Sequence, residues 1–480
     1  MVKFLRSSQF LLVLCALFAA TNSSAQLTLR YSNNIKGDLI FVANNNISCG
    51  TGSGNCTKTN NTPLYTGPDN ATLNNNTGNN YTSASLTYFN DIDADATTFN
   101  STSSNYVLPS GTQCPEVVWA GLYWGAEASV GTISNVPAQY ATSLTFANRT
   151  KCKFKVPGAS SYTDITATAT FSDGNFTYHC FRDVTNIVKA AGPGTYTCAN
   201  IVGLTSGSQK DGGWTLVIIY SDQNAPKRNL SVFDGMVSVA STNANVNVNI
   251  SGFSTPPFGP ISARCGLIVY DGDRSSVSDS LQFRGQNGTN FPNFVKLSDA
   301  SHPVNNAFNS SIANYGVNVT TRNPIDNNTL GYDASLFNIP NVGNVNLGNS
   351  ATSATLKLTT GNEAYRVGTV VTMIDVVDPE IDLRKKVTDV NGGSFLPGDI
   401  IEYEIIVRNK GNDTAINSIC YDSIPFNTVY VPGTMKINGV AKTDAAGDDQ
   451  ANFDGTRVNF RVGFGATATT GGKMKINEAD

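Results

Sequence analysis

Charge is scarce in this chain. Only 14% of its 480 residues are Asp, Glu, Lys or Arg, against about 25% in an average soluble protein. The formal net charge is −4 and no basic run occurs, which excludes the electrostatic footprint of a nucleic-acid binder. Histidine is nearly missing, with His179 and His302 alone. The sequence also lacks a Gly-x-Ser-x-Gly elbow, a metalloprotease His-Glu pair and a phosphate loop, the common signatures of hydrolases and nucleotide enzymes. Beyond the N-terminus no apolar run reaches the roughly 20 residues that cross a bilayer. What replaces the charge is Asn, Thr, Ser and Gly, residues that favour turns and strand surfaces over long helices. Apolar residues still make up 40%, enough for packed cores in two to four domains.

The first 25 residues read as a secretory signal. Lys3 and Arg6 precede the apolar run Phe10–Ala20, and Ser23-Ser24-Ala25 offers small residues for cleavage before Gln26. An exported chain meets oxidising conditions, so its cysteines are disulfide candidates. Nine cysteines fall to eight once Cys15 leaves with the signal. Cys49, Cys56, Cys114, Cys152, Cys180, Cys198 and Cys265 precede residue 380, and Cys420 stands alone after it. Cys49 with Cys56, across a Gly-rich loop, and Cys180 with Cys198 are the pairs expected.

Strand signals are weak in residues 26–110, read as an Asn/Thr-rich, loop-rich leading part. They sharpen at Val117–Trp124 and Trp214–Tyr220, apolar on both faces and so expected to be central and buried. Leu230–Val239, Val246–Ile250, Ile261–Tyr270 and Ala354–Thr359 continue the series, and Tyr365–Val377 reads as a closing strand pair. One helix is expected after Asp183, with Val184, Ile187, Val188 and Ala191 at helical spacing and Gly192-Pro193-Gly194 ending it. Asp378-Pro379-Glu380 is the linker, because Pro379 breaks pairing. The fold class expected is all-β: a large jelly-roll-like sandwich over 26–377, then an Ig-like sandwich over 381–480 that lacks a final strand.

Two resemblances accompany this reading. Ile-Asp-Leu-Arg-Lys-Lys-Val from Ile381, Leu-Pro-Gly-Asp, Ile-Glu-Tyr-Glu-Ile-Ile-Val-Arg-Asn-Lys-Gly from Ile401 and Tyr-Val-Pro-Gly-Thr from Tyr430 resemble a repeat domain of unknown function on bacterial cell surfaces. The chlamydial cysteine-rich outer-membrane protein also carries this repeat. Trp-Ala-Gly-Leu-Tyr-Trp-Gly, Gly-Trp-Thr-Leu-Val-Ile-Ile-Tyr and Asn-Leu-Ser-Val-Phe-Asp-Gly resemble the region preceding such repeats in large bacterial exoproteins. The resemblance implies a stalk-bearing surface or secreted protein and assigns no activity.

Two acidic runs are calcium candidates. Asp91, Asp93 and Asp95 alternate and would share one face of a strand. Asp271, Asp273 and Asp279 follow a strand, with Arg274 as a rival neutraliser. Carboxylates gathered this way suit a hard cation. Trp119, Tyr123, Trp124 and Trp214 could stack on sugars, but strands apolar on both faces point to core packing. Lys385 shares a strand face with Ile381, Leu383 and Val387 and is read as a snorkelling lysine; a crosslink would instead need a neighbouring inner carboxylate. The function expected is an exported structural or adhesive protein without catalysis, its ligand a surface, glycan or protein. A carbohydrate-binding module and a secreted hydrolase are the alternatives, and the hydrolase requires two carboxylates about 5–10 Å apart across a cleft.

Overall fold

The computed structural model describes residues 26–49, 87–93, 95–128, 146–173, 177–204, 211–274, 276–326, 328–361 and 363–476. Eleven strands form one ladder. Their order is Val317–Asn318, Ala313–Asn314, Gly331–Asn338, Ala263–Gly272, Tyr365–Asp375, Lys227–Val239, Thr28–Asn45, Gly212–Ser221, Glu116–Glu127, Thr177–Asp183 and Ala169–Ser172.

Thr28–Asn45 joins two halves of this ladder. Thr28–Lys36 pairs with the strand Lys227–Val239, and Gly37–Asn45 pairs with Gly212–Ser221. A Cβ on Gly37 would collide with the Tyr220 carbonyl oxygen, so glycine is needed at the crossing.

The halves pack face to face. Leu39, Trp119, Tyr123 and Val217 from one half meet Val232, Tyr332, Leu336 and Met373 from the other in a shared core. The outer face of the first half, the one built on Lys227–Val239, packs on the sheet of Asn245–Ser251, Ser353–Thr359, Ser280–Gly285 and Val295–Lys296, around Leu267, Phe283, Leu356 and Ile374. The outer face of the second packs on Arg322–Asn323, Ser101–Tyr106, Gly194–Ala199, Lys151–Lys155 and Thr163–Thr166, around Trp124, Phe154, Tyr196 and Trp214. The head is therefore four layers, two jelly-roll-like sandwiches set back to back.

This layering explains the doubly apolar strands. Along Gly212–Ser221, Trp214, Leu216 and Ile218 enter one core, while Val217 and Ile219 enter the shared one. Each full burial of such a side chain contributes roughly 1.5–3 kcal/mol. Polar bonds also cross the shared core. Tyr123 donates to Asp234 Oδ2 (3.1 Å), Thr215 Oγ1 bonds the Tyr332 hydroxyl (2.7 Å), and His179 bonds both Tyr270 OH and Thr369 Oγ1 (2.8 Å each). Such directional bonds fix how the halves register, where apolar packing alone is permissive.

Several expectations change here. Residues 26–110 contain the longest strand among the described residues, the 18-residue Thr28–Asn45. Tyr365–Asp375 is one strand and not a pair, because its neighbours come from distant strands. The helix is present at Thr185–Ala191; Asp183 Oδ1 accepts the Thr185 N–H (2.9 Å), and Gly192 closes it with φ 70°. The Cys180–Cys198 pairing is corrected. Both are free, buried thiols on different sheets; Cys180 contacts Thr170 Oγ1 (3.4 Å), and the neighbour of Cys198 is Cys152. The Cys49–Cys56 bridge falls on Cys56 and the Cys49 side chain, outside the described residues, as do the signal residues 1–25.

The C-terminal unit is all-β and small. Among the described residues Ile381–Asp389 pairs with Ile401–Asn409 alone, and a four-stranded sheet is formed by Ala451–Phe453, Arg457–Arg461, Ala415–Ser423 and Gly472–Met474. Its cores are slight: Val407, Ala415, Cys420, Val462 and Met474, and Met435, Ala451 and Val458. The linker is strapped to the head, with Asp378 pairing to Lys36 and Lys227 and Glu380 to Lys36. Among the described residues no helix is long and apolar enough to cross a membrane.

Candidate functional site

One end of the head collects acid. The long inner strands finish there, and their terminal residues bring Glu127, Asp173, Asp211 and Asp271 together with Arg366 from the start of Tyr365–Asp375. Arg366 bonds Asp173 Oδ2 (2.8 Å) and Asp271, and these carboxylates hold its guanidinium above its ordinary value despite burial. Asp211 Oδ1 accepts the Glu127 N–H (2.9 Å), and Glu127 Oε2 accepts the Thr177 hydroxyl (2.6 Å). Burial first, then the charges of Asp271 and Glu127, push Asp211 well above the carboxylate range.

The belt continues through Asp273, Asp279, Asp333 and Glu363. Asp273 N–H donates to Glu363 Oε1 (2.7 Å), and Asp279 Oδ2 accepts Ala307 N–H and Phe308 N–H (2.9 Å each). Burial pushes Asp279 up to about 6 against the hydrogen bonds that favour its charged form, and burial with the charges of Asp279 and Asp273 pushes Glu363 up to about 10. Asp333 is pushed up to about 8, mainly by burial and further by Asp279. Acidic side chains are seldom buried unless paired, so eight in one belt are a distinctive feature.

The sequence pointed at only part of this. Asp271, Asp273 and Asp279 lie in the belt but do not act as a triad, because Asp271 turns to Arg366 while Asp279 meets Glu363. Asp91, Asp93 and Asp95 are not three strand residues sharing a face; they sit in the loop after Thr87–Phe89. Asp91 accepts from Ser101, Asp93 from Tyr162, and Asp95 from Thr97. Burial raises Asp91 to about 6. Among the described residues no three His, Cys, Asp or Glu side chains form a metal-holding group. Glu127, Asp211, Asp333 and Glu363 were missed. The available signal was an acid abutting an apolar strand, as in Trp-Gly-Ala-Glu and Asp-Gly-Gly-Trp.

The aromatic and basic candidates are built into cores. Trp119, Trp124 and Trp214 are 6%, 0% and 0% exposed. His179 stacks on Tyr123, and burial lowers it to about 3. Asp299 Oδ1, His302 and Ser335 Oγ are linked at 2.7 and 3.1 Å, the connectivity of a serine-hydrolase relay. His302 and Ser335 are both buried, however, and the ring packs on Phe337. Lys385 meets Asp422 at 2.6 Å as a partly exposed ion pair.

A groove of about 300 Å³ opens beside the edge strand Asn245–Ser251. Its lining combines Asn243, Asn245, Asn247 and Asn249 with Leu27, Leu29, Phe233 and Val237. Amides that both donate and accept, set against an apolar floor, suit a ligand carrying hydroxyls on a carbon frame.

No family model matches the sequence, and no curated protein matches it. Among solved structures the chain is similar to one of infectious bursal disease virus Gt strain (TM-score 0.19, 10% identity, 73% of this chain and 70% of that one). It is also similar to an archaeal-virus structure titled for its triple jelly roll fold and turret assembly (0.16, 11%, 58% and 57%). A third is PNGase F, a glycosylasparaginase from Flavobacterium meningosepticum (0.15, 8%, 57% and 89%). Scores this low carry no argument about function.

Proposed function

We propose that the chain is an exported, surface-displayed protein of structural or adhesive type, without catalysis, whose head recognises a polar ligand. The groove beside Asn245–Ser251 carries this reading, because it sets a row of exposed amide side chains beside apolar carbon, of which Leu29 is the exposed part. The burial of every Trp and both His supports it, since those side chains are occupied with packing. The surface-repeat resemblance of residues 381–439 supports display on a stalk. A glycan-binding role for the groove is the sharper form, favoured by the same alternation of amide and apolar lining. A glycan-array assay of the purified chain, with the Asn247→Ala variant beside it, tests the proposal. Selective binding lost in the variant is expected. Equal binding by both, or turnover of any bound glycan, would overturn it.

A further inference from the structure

We propose that the knot of loops around Asp279, Glu363 and Asn306 is a binding site for one calcium ion. Three loops are tied together here. Glu363 Oε1 holds the Asp273 N–H at 2.7 Å, and Gly361 N–H donates to Ser278 O at 3.1 Å. Asp279 Oδ2 holds Ala307 N–H and Phe308 N–H at 2.9 Å. Asn306 Nδ2 donates to the carbonyls of Asp273 and Arg274 at 3.2 and 3.1 Å.

Each side chain spends one polar atom on these ties and keeps another. Asp279 Oδ1, Glu363 Oε2 and Asn306 Oδ1 are buried without a hydrogen-bond partner. The residues are 0%, 7% and 3% exposed. A single orphaned buried acceptor costs about 1–3 kcal/mol, and more when charged. Asn306 is the independent witness. It is neutral, its amide head is fixed on the Asp273–Arg274 backbone, and its oxygen is left over within the same knot.

A proton shared between Asp279 and Glu363 would join those two carboxyls but still leave Asn306 Oδ1 without a donor. A positive partner satisfies all three oxygens together. Two carboxylates and an amide carbonyl are hard oxygens, the donor set of calcium, which takes six to eight such ligands at about 2.3–2.6 Å. Zinc sites draw on His and Cys, which none of the three residues supplies. Magnesium demands near-ideal octahedral geometry, a poor match for three donors whose positions are set by backbone ties, whereas calcium tolerates irregular ligand arrangements. The site differs from the Asp271, Asp273 and Asp279 run in the sequence, because Arg366 neutralises Asp271. It does not depend on the function proposed for the groove.

Calorimetric titration of the purified, chelator-treated chain with calcium chloride tests this, with magnesium chloride in parallel and Tm read in both. One saturable equivalent and a raised Tm with calcium are expected. Glu363→Gln and Asp279→Asn keep side-chain size and remove charge, and each should weaken calcium binding at least tenfold. Asp95→Asn should bind as the parent does. No heat and no Tm change up to millimolar calcium would overturn the site, as would undiminished binding in both variants or an equal response to magnesium. Should a variant fail to fold, the titration of the parent chain still decides.

Discussion

The two ends of the head treat charge differently. Where Thr28–Asn45 crosses between halves, four carboxylates (Asp38, Asp375, Asp378 and Glu380) meet four cations (Lys36, Lys227, Arg228 and Arg264). At the far end of the same strands, eight carboxylates (Glu127, Asp173, Asp211, Asp271, Asp273, Asp279, Asp333 and Glu363) share two arginines, Arg274 and Arg366. The balanced end holds the linker, so its ion pairs act as a joint. The unbalanced end has no such structural partner, and its excess charge requires protons or a cation. Burial alone does not separate the ends; the ratio of signs does.

The largest way to break this contrast is Arg366→Leu. It leaves Asp173 and Asp271 buried without their cation, and losing one partner of a buried pair costs about 3–5 kcal/mol. Arg264→Leu at the balanced end leaves Asp38 its bond to Arg228, so a loss of about 1–2 kcal/mol is expected. Denaturant midpoints compare the two, and equal losses would erase the distinction.

Acid probes the middle and the unbalanced end with opposite signs. His179 titrates near 3 in the fold against about 6.5 unfolded. Its contribution is full above 6.5 and is lost as pH falls toward 3, at up to about 1.4 kcal/mol per pH unit. Unfolding free energies at pH 7 and 5 should show that slope, and His179→Gln should flatten it. Asp333 runs the other way. Raised to about 8, it favours the fold below its unfolded value near 4, and that contribution is lost as pH rises through 8. Asp333→Asn should therefore stabilise the chelator-treated chain by about 1–3 kcal/mol at pH 8, with the gain shrinking toward pH 4. An unchanged gain across that range would rule out the charge explanation. The smallest effect on stability belongs to Asn247→Ala in the groove: below about 0.5 kcal/mol, with ligand binding lost while both ends stay intact.

The sequence made the inner strands legible and hid their arrangement. Trp214–Tyr220 announces burial on both faces, but not that the second cover is another half of the same ladder. Thr28–Asn45 was obscured because Asn33 interrupts the alternation of Leu29, Tyr31 and Ile35 within an Asn-rich stretch, and its first half is largely exposed. The site was half legible for a related reason. Asp271, Asp273 and Asp279 are close in sequence, whereas Asn306, Asp333 and Glu363 arrive from separate loops and strands. Local spacing carries no record of such convergence. The Cys180–Cys198 choice failed likewise, since the strand Lys151–Lys155 beside Gly194–Ala199 supplies the nearer thiol, Cys152.

The route by which the chain leaves the head has a mechanical meaning. Tyr365–Asp375 runs between Lys227–Val239 and Ala263–Gly272, antiparallel to both, and leads directly into the linker. A pull from the C-terminal unit acts along that strand. It loads two hydrogen-bond ladders lengthwise, so their bonds share the force instead of opening one after another from an edge. The Lys36 and Lys227 pairs to Asp378 stand at the entry point and take the first strain. A tether anchored on this strand would yield by shearing the middle of the head, not by peeling its margin.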